Sequence, residues 1–175
     1  MRQFLAAAML TIAMIPSIAR ADDVKIDEIS TAGPADAKQT AILAAAKAFY
    51  QFWNDGDDAH LKAALSPAFT DRTLPPGRPQ GPQGPSFASK HFRAAVPDLR
   101  VDVKKMIVAG DYVTVHMEFT GHFTGEFGHA KGSGQAIDFI ATDLLRVTDG
   151  LVTDNWHIED NLTLLTQMGV AKVEQ

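Results

Sequence analysis

Residues 136–160 read AIDFIATDLLRVTDGLVTDNWHIED, and the alternation within them decides the fold. Ile137, Phe139, Ala141 and Leu145 fall at odd positions before Thr148-Asp149-Gly150, and Val152, Trp156 and Ile158 alternate after it. Period two on both sides of a turn signal predicts two paired strands, Ala136 to Val147 and Leu151 to Asp160. If Gly150 takes the left-handed third position of a three-residue loop, Ala141 opposes His157 and Asp143 opposes Asn155. Asp143 and His157 are then diagonal neighbours on one face, about 7–8 Å apart at the backbone. A two-residue loop instead sets Trp156 beside Asp143. The face shared with Ile137, Phe139 and Leu145 has two readings. Either an acid and an imidazole sit in an apolar pocket that perturbs both, or they form a surface pair worth about 0–1 kcal/mol.

Alternation continues upstream of this hairpin. Leu99, Val101 and Val103 form one run and Val113, Val115, Met117 and Phe119 another, with Gly110-Asp111 turning between them. Nearer the N-terminus the spacing changes to three and four. Ile42, Leu43, Ala46, Phe49, Tyr50 and Trp53 predict a helix from Ala35 to Trp53, capped by Asp36 and stopped by Asn54-Asp55-Gly56. Asp57 or Asp58 starts a second short helix through Leu65, and Ser86 caps a third that Pro97 ends. Between them, Thr73 to Ser86 holds five prolines and three glycines and reads as a loop, either a linker or the rim of a pocket. Helices first and strands second give an α+β chain, with helices on one face of a curved antiparallel sheet.

The composition fits one such domain: 175 residues, 46% apolar and 21% charged. Its absence of cysteine excludes disulfides, thiolate metal sites and a cysteine nucleophile. A net charge of −5 without a basic run makes nucleic acid a poor partner. Arg2, the apolar run from Phe4 to Ile18 and the small-x-small Ala19-Arg20-Ala21 read as a cleaved signal over residues 1–21. The run is interrupted by Pro16 and is short of the roughly 20 residues a membrane anchor needs. Cleavage before Asp22 moves the charge from −5 to −7 and implies a periplasmic or secreted protein. Residues 22–34 are then an N-terminal extension to a domain spanning 35–175.

Other polar residues carry weaker signals. His116 lies on the face opposite the apolar run of its strand. His122 and His129 flank a glycine-rich strand end, but no third ligand has metal-site spacing, and no metal is expected. His60 and His91 fall on helices. Asp160 reads as a cap or turn residue, and Asp71 precedes the proline-rich loop. With no nucleophile elbow, phosphate loop or dinucleotide fingerprint, the chemistry available is proton transfer.

Four stretches together resemble the SnoaL-like polyketide cyclases of the NTF2-like superfamily, from about Ala35 to Gly169: FYQFWNDGD (49–57), VPDLRVDV (96–103), GDYVTVHMEFTG (110–121) and LLRVTDGLVTDNWHIEDNLTLLTQMG (144–169). The last is the specific one, with R-x-x-D-G, D-x-W-x-x-x-D and L-L-x-Q-x-G in order. The resemblance implies an α+β cone with a deep apolar pocket between sheet and helices, commonly a homodimer, and no metal or organic cofactor. It also implies an intramolecular aldol closure begun when an Asp removes a proton alpha to a carbonyl. That Asp position is held here by His157, a pocket His falls at Asp143, and Asp71 falls near a pocket Asn. Trp53, Phe123, Phe139 and Ala141 join Asp71 as expected substrate-binding residues. The chain departs from the pattern at Gly121-His122-Phe123-Thr124-Gly125, where the His is one place early, and at Arg72, which replaces a His.

These observations lead to a cofactor-independent acid–base enzyme of aldol, cyclase, isomerase or lyase type, acting on a small apolar carbonyl compound. His157 is its expected general base, with Asp143 orienting it or acting as the complementary acid. The alternative is an exported binding protein of the same fold, in which the pair anchors a ligand's polar end.

Overall fold

A computed structural model describes residues 23–33 and 36–172; the predicted signal at 1–21 lies outside them. The first long helix, α1 (Ala37–Asp55), starts where Asp36 accepts from the Gln39 amide at 2.7 Å and ends at Gly56, whose φ of 76° only glycine adopts readily. It buries Ile42, Ala45, Ala46, Phe49, Tyr50 and Phe52 against the sheet. Helix α2 (Asp58–Ala64) is capped by Asp57. Helix α3 (Gln83–Ala95) begins four residues before the predicted start; Ser86 lies in its first turn, and its hydroxyl bonds Asp58 instead of capping the helix.

The sheet core is the predicted antiparallel meander: β4 (Arg100–Ala109), β5 (Tyr112–Phe123), β8 (Gln135–Thr148) and β9 (Leu151–Glu159). Its edges correct the expectation of a purely antiparallel sheet. Residues expected to leave a helix for a loop form β3 (Leu65–Asp71), which pairs parallel with β9. In the N-terminal extension, β1 (Lys25–Ile26) and β2 (Ile29–Thr31) both pair parallel with β4. The order across the sheet is β1-β4-β5-β8-β9-β3, and β6 (Glu126–Phe127) pairs separately with β7 (Ala130–Lys131). The helices pack on one face of this curved, open sheet.

The turn between β8 and β9 also departs from expectation. Asp149 and Gly150 both have positive φ, 51° and 74°, which makes a two-residue primed turn with Thr148 opposite Leu151. Thr153 is then an extra residue in β9, between Val152↔Val147 and Asp154↔Arg146. The shorter turn and the bulge together place His157 directly opposite Asp143, so the pair is neither diagonal nor displaced by Trp156.

A last short helix, α4 (Asn161–Gln167), follows β9. Asp160 caps it, accepting from the Thr163 amide at 3.0 Å and the Thr163 hydroxyl at 2.7 Å. Asp160→Ala is expected to lower stability by about 1 kcal/mol in urea denaturation.

Candidate active site

Between helices and sheet lies a cavity of about 360 Å³, within the size range of small-ligand sites. Its apolar side includes Phe49 and Trp53 of α1, Phe92 of α3, and Met117, Phe119 and Phe139 of the sheet. These rings lock one another in place. Phe119 and Phe139 stack with centroids 5.1 Å apart, and Trp53 meets Phe119 edge-on at 6.2 Å. Pro75, Pro76, Gly77 and Arg78 supply part of the wall, so the proline-rich segment is the rim. A clasp holds it: Gln80 accepts from the Asp71 amide and donates to the Asp71 carbonyl, both at 2.8 Å.

The polar side is built on β9 and β8. Period two puts Asn155, His157 and Glu159 on the cavity face, opposite Leu145, Asp143 and Ala141. The His157 Nδ1–H donates to Asp143 Oδ1 at 2.7 Å, and the Tyr50 hydroxyl donates to Asp143 Oδ2 at 2.9 Å. On the ring's other side Nε2 lies 3.3 Å from Glu159 Oε2. The His157 backbone amide donates to Thr73 Oγ1 at 2.9 Å, tying the rim to the strand.

Exposure divides the labour. The Asp143 side chain is 3% exposed, against 24% for His157 and 29% for Glu159. Asp143 therefore backs the ring, and of these three side chains His157 and Glu159 are the ones open to an incoming molecule. Burial opposes the imidazolium, but hydrogen bonds and charge from Asp143 and Glu159 outweigh it and raise His157 from 6.5 to about 10. Burial likewise opposes the Glu159 carboxylate, and His157 with Arg78 outweighs it, leaving its pKa below the usual value. Burial first, and then the Asp143 charge, push the Tyr50 phenol well above its ordinary value, so Tyr50 remains a donor. At neutral pH the site presents a cationic ring between two acids, one of them accessible.

Of the expected binding residues, Trp53, Asp71 and Phe139 line the cavity. Phe123 and Ala141 do not: they are 0% and 2% exposed and pack in the core at the end of β5 and opposite Glu159. His91 lines the cavity. His116 bonds Thr142 at 2.9 Å, and His122 pairs with Asp98 at 2.7 Å on the surface. His129 stands outside the site, in the turn between β6 and β7. Among the described residues no three His, Cys, Asp or Glu side chains group as a metal site, and no helix is long and apolar enough to cross a membrane.

Tyr50, Asn155 and Glu159 carry no signal of their own in the sequence pattern that marks them as site residues. Glu159 was within reach, because the period that put His157 on the pocket face puts the residue two places later there as well. Tyr50 was hidden by its own helix, where it counts as one more apolar position. A three-residue loop sets Asn155 opposite Asp143, and the two-residue turn and the Thr153 bulge together give that place to His157.

No curated protein sequence matches the chain. The family profile described as SnoaL-like polyketide cyclase matches residues 43–168. A solved structure of a candidate polyketide cyclase from Bacillus cereus is 36% identical, with 86% of this chain and 96% of that one covered and a TM-score of 0.77. IdmH from Streptomyces antibioticus, another candidate polyketide cyclase, is 26% identical over 74% of this chain and 99% of its own, with a TM-score of 0.66. A Catenulispora acidiphila protein with a ketosteroid isomerase-like fold is alike in fold alone, at 19% identity, 73% and 93% coverage and a TM-score of 0.58. The profile match runs from the first long helix to the last and nearly all of the Bacillus cereus protein is covered, so this chain belongs to the SnoaL-like polyketide cyclase family.

Proposed function

We propose that the protein is a cofactor-independent acid–base enzyme acting on an apolar carbonyl compound, of the cyclase or isomerase type. The observation that carries this reading is the His157 ring, held between Asp143 and Glu159 at the polar end of an aromatic cavity. With the ring protonated, the proton acceptor passes from His157, the base expected from sequence, to Glu159. A substrate carbonyl oxygen takes the place of Glu159 Oε2 at His157 Nε2–H. The freed carboxylate accepts the proton alpha to that carbonyl, and the negative charge moves onto the oxygen facing the imidazolium. In a cyclisation the enolate carbon bonds to a second carbonyl carbon of the same molecule. His157 protonates the resulting alkoxide, and Glu159 returns its proton to the ring. All atoms of the substrate are kept, and the two protein groups end as they began.

The test is exchange of the methyl protons of 2-acetylnaphthalene into deuterated buffer, followed by NMR. Wild-type protein should accelerate exchange, and Glu159→Gln and His157→Gln should each lose about 10²–10⁴-fold. Because His157 is the acid, the enzymatic rate should hold through neutrality and fall as pH rises through about 10. Binding of the ketone with no exchange above buffer would overturn the enzyme in favour of a passive binding protein.

A further inference from the structure

Asn155 stands two residues before His157 on the same face of β9, which separates the two by about 7 Å along the backbone. It lines the cavity and is only 7% exposed. Its Oδ1 is buried with no hydrogen-bond partner, and among the described residues its Nδ2 donates to nothing, although each neighbouring polar side chain is engaged. Asp154 accepts from Arg72 Nε at 2.7 Å and from the Thr153 hydroxyl at 2.9 Å, and His157 is held on both nitrogens. The Asn155 backbone carbonyl is also engaged, accepting from the Arg72 amide at 2.8 Å. A free amide at this depth is out of keeping with a purely structural role, because buried polar groups are otherwise paired. Oδ1 is the buried end of the amide, which leaves Nδ2 as the end available to a molecule in the cavity that Asn155 lines.

We infer that Asn155 is a second hydrogen-bond donor to the substrate's carbonyl oxygen, acting through Nδ2 beside the Nε2–H of His157. This rests on the carbonyl reading given above and adds to it a specificity: two donors select a substrate whose reacting oxygen gathers negative charge. The neutral amide complements the cation. Its dipole is fixed in place and needs no reorganisation as charge moves onto the oxygen. No proton is transferred to or from Asn155.

The experiment uses 2-acetylnaphthalene labelled with ¹³C at the carbonyl, bound to the full chain. Infrared spectra read the bonds to the bound oxygen, titration reads affinity, and methyl-proton exchange reads chemistry. In the wild type the bound carbonyl band should lie below its position in Asn155→Leu. That variant should bind the ketone about 5–10-fold more weakly and exchange its protons about 10²–10³-fold more slowly. Asn155→Asp keeps the size and polarity of the side chain but offers only acceptors, so it should bind no better than the leucine variant. Thermal melts identify which variants are folded, and the bound band in His157→Leu, expected to stay below that of the free ketone in cyclohexane, reports the second donor without any change at Asn155. An unchanged band and affinity in folded Asn155→Leu, or wild-type behaviour in Asn155→Asp, overturns the inference. Binding without exchange in the wild type removes the enzyme reading while the band and affinity still decide the role of Asn155. Absence of binding to the wild type overturns both.

Discussion

Asp143→Ala is expected to destabilise the fold by about 3 kcal/mol, the lower end of the range for removing one partner of a buried ion pair. The carboxylate accepts from both Tyr50 and His157, and the substitution leaves the phenol and the ring nitrogen without it. The cost stays at the lower end because His157 keeps Glu159 on its other side and is free to give up its proton. The same variant should change how stability depends on pH. Folding raises the His157 pKa from 6.5 to about 10, so the native state holds a proton that the unfolded chain releases between those values. The stabilisation is complete below about pH 6.5 and is lost as pH rises toward 10, at no more than about 1.4 kcal/mol per pH unit. Urea denaturation of the wild type from pH 6.5 to 10 should show this decline beyond that of Asp143→Ala. Equal slopes in the two proteins would remove Asp143 as the group that holds the charged ring.

Gly125→Ala should cost more than about 3 kcal/mol, above the usual range for overpacking. Gly125 lies just after β5, where its amide donates to the Ala95 carbonyl at 2.9 Å and the Thr124 amide to the same oxygen at 3.1 Å. This clasp fastens the end of α3 to the sheet. A Cβ at Gly125 would overlap the Ala94 carbonyl oxygen, and no rotamer change relieves a clash between two backbones. Helix α3 would have to lift, carrying Phe92 and His91 out of the cavity wall. Gly128→Ala is the control: its φ is 59°, but a Cβ there meets nothing within 4 Å. It should cost only the left-handed backbone strain of about 1–2 kcal/mol. Denaturation midpoints that place the two variants together would refute the clasp.

The long elements were legible because each repeats a period many times over. Strands β4, β5, β8 and β9 alternate through whole runs, and α1 repeats its apolar stripe over five turns. Short elements lack that redundancy. Strands β1 and β2 have two and three residues, too few for a pattern. Strand β3 contains Pro67, which read as a breaker, but the strand pairs only with β9, and the proline falls in the irregular register between Leu65 and Thr70. The bulge at Thr153 has no signature in its side chain, and it alone decides whether Trp156 or His157 faces Asp143. Phe123 and Ala141 are expected to bind substrate, and a period of two assigns a face but not how closely neighbouring side chains cover each residue on it. Both are covered by their neighbours in the core and do not reach the cavity surface.

The N-terminal residues close the outer border of the sheet, because β1 and β2 both lie along β4. Without it, β4 would present ten residues of unpaired backbone, a template for any extended chain. With it, the outer border is broken into strands of two and three residues, parted by Asp27 and Glu28 and flanked by Lys25 and Lys105. Two of the four backbone groups of the parting pair are already committed, the Asp27 amide to the Val103 carbonyl and the Glu28 carbonyl to the Met106 amide. A neighbouring strand would therefore find a hyphenated, charged selvedge on which to grow. The segment that covers this border lies outside the family's profile, so the closing of the β4 edge is a feature of this chain's own N-terminal residues, independent of anything the cavity does.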